Sequence, residues 1–342
     1  MKTRLFYTNG NRDIVETTYD KPKPAKDQIE VKSIYTGVCR SDVDMYDGKF
    51  HLPSIYMQGH EGLGRVTKVG SELKNEIEVG DYVATRGEPA FADYYNVNKD
   101  SYVILNHWYN DGLPDPSYII EPVACGVNLV AESVGLKRHQ HHKTIDFMAF
   151  TNTKNSSPGW SSVEKEKIKN ILILGTGFLA TVVNAALKEN CKTPDITVVG
   201  RANQHYWIGE KLRYLTDIDD LEDDERFDVI YDISPKARYV APSVHHLADA
   251  GTLVVAAEKM PAVAYPINEL LWKSARVLYP SPRSKNFQTV MHEAVAMVQY
   301  EQVDVSGLWT QEYDRDTEVK QAFEDGLNRK EGYSRGYIKW KQ

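Results

Sequence analysis

The feature that most restricts the fold lies at residues 170–180. An apolar run, Ile-Leu-Ile-Leu at 171–174, leads into Gly175-Thr-Gly177-Phe178-Leu179-Ala180, and apolar residues then recur at helical spacing to residue 188. A short apolar run bounded by glycine reads as a buried strand, and the 3.6-residue period after it reads as a helix. Glycine at 175 permits a tight turn. Glycine at 177 lets the backbone approach a pyrophosphate on the helix N-terminus, and alanine at 180 is small enough for helix–strand packing. GxGxxA alone is a weak signal, and its place between a strand and a helix is what gives it weight.

The same rhythm continues downstream. Strand patterns at 196–199, 229–232 and 252–256, with a helix pattern at 239–247, extend the series. This predicts a doubly wound parallel α/β sheet of the Rossmann type. The second strand is followed by Gly200-Arg201-Ala202-Asn203. NAD sites ordinarily carry Asp or Glu there, gripping the ribose 2′-hydroxyl. A carboxylate would repel a 2′-phosphate, whereas a guanidinium binds it through charge-assisted hydrogen bonds. The sequence therefore predicts NADP over NAD, with Gly175, Gly177, Phe178, Leu179, Ala180, Gly200, Arg201 and Asn203 at the cofactor. The plainer alternative is that Arg201 is a solvated surface charge.

The first third reads differently. Short strand patterns at 29–35, 62–69 and 82–85 are punctuated by Gly37, Gly48, Gly59, Gly70 and Gly80, which predicts a β-rich, barrel-like domain. A helix pattern covers 122–134. A polar stretch at 137–170, holding His139, His141 and His142, reads as a long loop or insertion with a small element at 144–150. Helices at 290–298 and 317–327 and a strand at 335–340 close the chain.

Composition removes several classes of function. A net charge of −7 with dispersed basic residues argues against a nucleic-acid partner. No apolar run approaches the roughly 20 residues of a membrane span. The first residues lack the apolar core of a signal peptide. Three scattered cysteines are too few for a disulfide framework. The expectation is a soluble cytoplasmic protein with no membrane partner.

Two phrases carry chemistry: GVCRSD at 37–42 and GHEGLGRVTKVG at 59–70. Cys39, His60 and Glu61 supply a thiolate, an imidazole and a carboxylate, the ligand types of a zinc ion that keeps one position open. They are too far apart for one helix face, so only the fold could assemble them. The structural alternatives are a hydrogen-bonded His60–Glu61 pair and a helix cap at Ser41, with Asp42 of that structural kind.

GVCRSD, GHEGLGRVTKVG, VGDYV at 79–83, GTGFLA and FDVIYDIS at 227–234 occur in that order. With them the chain resembles the medium-chain dehydrogenase/reductase superfamily of the zinc alcohol dehydrogenase type, closest to its polyol and glucose dehydrogenase branch. The resemblance implies a GroES-like β-rich catalytic domain at 1–124 and an NADP-binding Rossmann domain at 125–285 with its insertion at about 137–170. A C-terminal segment, 286–342, would return to the catalytic domain, leaving the active site in a cleft. It implies Cys39 and His60 as zinc ligands, with Glu61 a ligand or a neighbour of the ligands. Glu121, in Glu-Pro-Val-Ala-Cys-Gly, is favoured over Cys125 to complete the shell, the alternative being a helix N-terminal carboxylate. Ser41 would meet the substrate oxygen and start a proton relay. Asp44 stands where many members have a relay histidine, which leaves the proton's exit open. No cysteine lies between residues 85 and 118, so one catalytic zinc and no structural zinc are expected.

The implied function is a zinc-dependent transfer of hydride between NADP(H) and a polyol, sugar or related secondary alcohol. The alternatives are a simple alcohol or aldehyde reductase of the same superfamily, and a zinc-free NADP-binding member without catalysis. The superfamily also implies a homodimer or homotetramer.

Overall fold

The glycine-bounded segments of the first third are strands. The computed structural model describes residues 2–50, 52–105, 112–135, 168, 170–192, 194–259 and 261–342. Most of the expected insertion at 137–170, with His139, His141, His142 and the element at 144–150, lies outside the described residues. Residue 170 opens a strand instead. The chain divides into two compact units, Met1–Ala124 with Lys285–Gln342, and Cys125–Ser284.

The first unit begins with the antiparallel hairpin of β1 (Lys2–Thr8) and β2 (Ile14–Asp20). There follow β3 (Gln28–Gly37), α1 (Arg40–Tyr46), β4 (Gly62–Val69), β5 (Tyr82–Thr85), β6 (Tyr94–Asn98) and β7 (Tyr102–Ile104). Leu5, Ile29, Val31, Val83 and Tyr95 fill one core. Phe6, Tyr46, Phe91, Phe323 and Trp340 fill another, with the Phe6 and Phe91 rings stacked at 4.6 Å. Helix α2 (Glu121–Ser133) begins in this unit and continues into the second.

The second unit is built by alternation. Its elements are β8 (Asn170–Leu174), α3 (Phe178–Asn190), β9 (Asp195–Val199), β10 (Arg213–Leu215), β11 (Phe227–Asp232), α4 (Val240–His245), β12 (Leu247–Val255), α5 (Ile267–Trp272) and β13 (Arg276–Leu278). The strands pair in parallel in the order β10-β9-β8-β11-β12-β13. Ile171, Leu172, Ile173 and Leu174 are all fully buried, as a strand covered on both faces requires. The order reverses at β8, which makes the carboxyl end of that strand the switch point where such sheets take ligands.

One sequence expectation is corrected here. The helix pattern at 239–247 is a 3₁₀ turn at Ala237–Tyr239 followed by a short α-helix ending at His245. Leu247 already belongs to β12, where it pairs with Phe227, so the sheet claims its backbone.

The chain then returns to the first unit with α6 (Phe287–Gln299), β14 (Trp309–Asp314), α7 (Val319–Asn328) and β15 (Arg335–Lys339). There, among the described residues, the main sheet runs β14-β15-β3-β4-β5-β7, with β6 also paired to β3. No helix among the described residues is long and apolar enough to cross a membrane.

Candidate metal centre and cofactor loop

The carboxyl end of β3 lies between the starts of two other strands. On one side Gly37 N–H donates to the Glu61 carbonyl at 2.9 Å, just before β4. On the other, Val38 N–H donates to the Gly336 carbonyl at 3.1 Å, at the start of β15. Register therefore brings residues 38–39, 60–61 and 335–336 together although up to about three hundred positions separate them in sequence. Gly37 is required in this arrangement, because a Cβ there would overlap the Glu61 carboxylate.

Cys39 precedes α1 and its amide is held by Asp42 Oδ2 at 2.9 Å. The cap at this helix is thus Asp42 reaching back, not Ser41. One ligand atom each from Cys39, His60 and Glu61 lies within 4.8 Å of the others. Gly59, with φ +76°, makes the turn that presents His60. The two imidazole nitrogens face two carboxylates: Nδ1 is 3.9 Å from Asp42 Oδ1, and Nε2 is 3.9 Å from Glu61 Oε1.

The carboxylates are unusually deep. Glu61 is fully buried, Asp42 is 1% exposed and Glu121 is 3% exposed. Glu61 Oε1 accepts a hydrogen bond from the Arg335 guanidinium, a pairing the sequence did not announce. Asp42 Oδ1 and Glu61 Oε2 are buried with no hydrogen-bond partner among the described residues. Such orphaned oxygens are costly unless something satisfies them.

The field at this point is negative. Burial would depress the His60 pKa, but the Asp42 carboxylate, Cys39 and Glu121 together hold it well above the ordinary histidine value. Burial pushes the Asp42 carboxyl up to about 6 against the pull of His60. Burial also works against the Arg335 charge, yet Glu61, Cys39 and Glu121 raise its pKa above the usual guanidinium range. Glu121 is therefore close enough to act on His60 and Arg335, while standing outside the group of three within 4.8 Å. Ser41 is partly exposed near the start of α1. Asp44, one turn on, is engaged by Arg40 through bonds of 2.7 and 3.0 Å. Cys125 is partly exposed, is in no disulfide and belongs to the second unit.

In that second unit the glycine loop has the expected form. Gly175 takes φ +132°, and Gly177 caps α3 with open space where a Cβ would stand. Phe178, Leu179 and Ala180 form the first turn of α3, and Phe178 and Ala180 are buried. Gly200 packs on Thr176 so closely that a side chain would collide with it. The Trp207 indole donates to the Thr176 carbonyl at 3.2 Å, and the Tyr214 hydroxyl donates to the Gly200 carbonyl at 2.6 Å. Arg201 is largely exposed and meets Asp217 at 3.2 Å. Asn203 adopts the left-handed conformation at φ 54° and precedes a 3₁₀ turn. The Arg238 hydrogen bond holds the Asp217 carboxyl down to about 2.

Residues 25–107 match the alcohol dehydrogenase GroES-like domain. NADPH-bound TarJ from S. aureus superposes over 100% of both chains with a TM-score of 0.75 at 18% identity. Residues 25–107 thus form a domain of the alcohol dehydrogenase GroES-like family, and the chain as a whole shares the fold of TarJ. NADH-bound rspB from E. coli CFT073, titled a short chain alcohol dehydrogenase, covers 99% of both chains with a TM-score of 0.74 at 14% identity. A sorbitol dehydrogenase of Halalkalibacterium halodurans is 35% identical over 85 residues, 25% of this chain and 24% of that one. The chain thus spans about a quarter of the length of the curated relative it matches.

Arg335, Asp217 and Arg238 are not among the residues the sequence pointed to. Each owes its place to a strand end that meets another only in the folded sheet. A weak signal existed for Arg335, a cation opening the last strand-like segment.

Proposed function

We propose that the chain is a zinc-dependent oxidoreductase that transfers a hydride between NADP(H) and the carbinol or carbonyl carbon of a polyol, sugar or related secondary alcohol. The observation that carries this reading is the convergence of Cys39, His60 and Glu61 within 4.8 Å, with one Glu61 oxygen buried and without a partner among the described residues. A thiolate, an imidazole and a carboxylate in a negative field fit a zinc ion that retains an open position. Cys39 and His60 would hold it, with Glu61 or Glu121 joining them. Bound there, zinc supplies Lewis acidity toward a substrate oxygen.

The remaining work belongs to the chain. Asp42 fixes the Cys39 backbone and faces His60 Nδ1, so it orients both groups, as carboxylates behind metal-bound histidines do. Arg335 occupies one oxygen of Glu61 and leaves the other available. The Ser41 hydroxyl accepts the substrate proton and passes it outward. Because Asp44 is already paired with Arg40, the exit runs through solvent at the partly exposed Ser41 rather than through a histidine. The glycine loop seats the pyrophosphate, and Arg201 favours a 2′-phosphate. Likeness to sorbitol dehydrogenase and the Glu121-Pro phrase favour hydroxyl-rich substrates.

A second reading has one observation behind it. Arg335 is a built-in cation beside Glu61, which is how a zinc-free NADP-binding member would neutralise that carboxylate. Assay of sorbitol, glucose and short aliphatic alcohols with NADP and NAD, before and after chelation and zinc restoration, separates the readings. Zinc-dependent turnover favouring the polyols with NADP is expected. Preference for short alcohols would point to a simple alcohol reductase, and chelator-insensitive turnover would defeat the zinc assignment.

A further inference from the structure

Three loops converge beyond the carboxyl ends of the parallel strands in the second unit. Arg201 follows β9, Asp217 follows β10 and Arg238 follows β11. The strands β10 and β11 are not neighbours, since β9 and β8 lie between them. Yet one oxygen of Asp217 holds a terminal nitrogen of Arg201 at 3.2 Å and a terminal nitrogen of Arg238 in a closer ion pair. Asp217 is buried beneath them, whereas the guanidinium side chains are 68% and 48% exposed.

This is more order than exposed arginines ordinarily keep. Asp217 is itself fixed, since its side chain caps the 3₁₀ turn at Ile218–Asp220. Arg238 also lies over the ring of the buried Tyr239, 4.7 Å from its centroid. Arg201 is fixed at its root, because Gly200 packs against Thr176 of the glycine loop. Two guanidinium forks therefore stand side by side, facing outward next to the loop that seats a dinucleotide. A planar fork backed by a carboxylate is pre-organised for a tetrahedral dianion.

We propose that Arg201 and Arg238 together form a clamp for the 2′-phosphate of NADP, with Asp217 beneath them as a positioning residue. This rests on the NADP preference proposed above and adds to it a second phosphate-binding residue from a different loop. One group opposes the clamp. Asp219, 76% exposed, lies 3.4 Å from the other terminal nitrogen of Arg238 and would compete with the phosphate for it.

The test is calorimetric titration of the full-length chain with 2′,5′-ADP and with 5′-AMP, half-cofactors that differ in the 2′-phosphate alone. Arg201→Ala and Arg238→Ala should each weaken 2′,5′-ADP about ten-fold or more, the scale of one lost charge-assisted hydrogen bond. Binding of 5′-AMP should stay within about two-fold, which also reports an intact adenosine pocket. Arg238→Lys, which keeps the charge but not the fork, should fall between. Asp217→Asn should weaken 2′,5′-ADP and Asp219→Asn should tighten it. If Arg201→Ala abolishes the preference while Arg238→Ala and Arg238→Lys leave it intact, the clamp is wrong and the NADP reading stands. If the unaltered chain binds the two ligands equally, the NADP reading fails as well. Tighter binding by Asp217→Asn would overturn the positioning role.

Discussion

Replacing Arg335 by leucine removes the guanidinium that is hydrogen-bonded to the fully buried Glu61. Glu61 Oε2 already has no hydrogen-bond partner among the described residues, so both oxygens would then lack one. Removing one member of a buried pair costs about 3–5 kcal/mol, because an uncompensated charge is left behind. The Arg335 guanidinium also lies 5.5 Å from the Trp309 ring centroid, and losing that contact adds about 0.5–1 kcal/mol. The assay is urea unfolding of metal-free protein followed by circular dichroism. Arg335→Leu should lower the stability of the first unit by at least about 3 kcal/mol. The double variant Arg335→Leu with Glu61→Gln should recover much of that loss, since neither charge then remains. Zinc should shrink the single-variant loss if Glu61 reaches the metal. A single-variant loss below about 1 kcal/mol, or a double variant no better than the single, would refute the claim that Arg335 compensates Glu61.

Gly37→Ala should push the Glu61 carboxylate off its site; zinc content by atomic absorption should fall, and retention of full zinc would show that Glu61 is dispensable. Asp42→Asn removes the buried carboxylate behind His60 and should cut zinc affinity about 10–100-fold, read by competition with a chromogenic chelator. Far from the site, burial works against Glu30, but hydrogen bonds from Lys21, Lys68 and Thr67 hold its carboxyl below the ordinary 4.5. Its contribution to stability is therefore present above that value and lost as pH falls through the lowered folded value. Glu30→Gln should flatten this acid limb of the unfolding-midpoint profile and, by leaving the buried Lys21 ammonium without its carboxylate and with neutral acceptors such as Asn96 and Pro22, cost about 3 kcal/mol at neutral pH.

What the sequence reveals here depends on whether the determinant is local. Strands β4 and β5 match the expected 62–69 and 82–85 because glycines bound them locally, Gly59 and Gly70 about one and Gly80 and Gly87 about the other. The glycine loop is legible because its turn, its close approach and its helix cap are all made by residues 175–180. Cys39, His60 and Glu61 are legible only as ligand types. What joins them is the register of β3 against β4 and β15, which no local pattern encodes. The pairing of Arg335 with Glu61 is hidden for the same reason, and so is the meeting of Asp217 with Arg201 and Arg238 across non-adjacent strands. The edge strands β10 and β13, three residues each, are too short for a periodic signal.

The most direct test of the account is the zinc content of the purified chain. Metal analysis should give one zinc per chain, lost in Cys39→Ser and in His60→Asn while both variants keep their circular dichroism spectrum. A chain that binds no zinc, before or after incubation with it, would contradict the account at its centre.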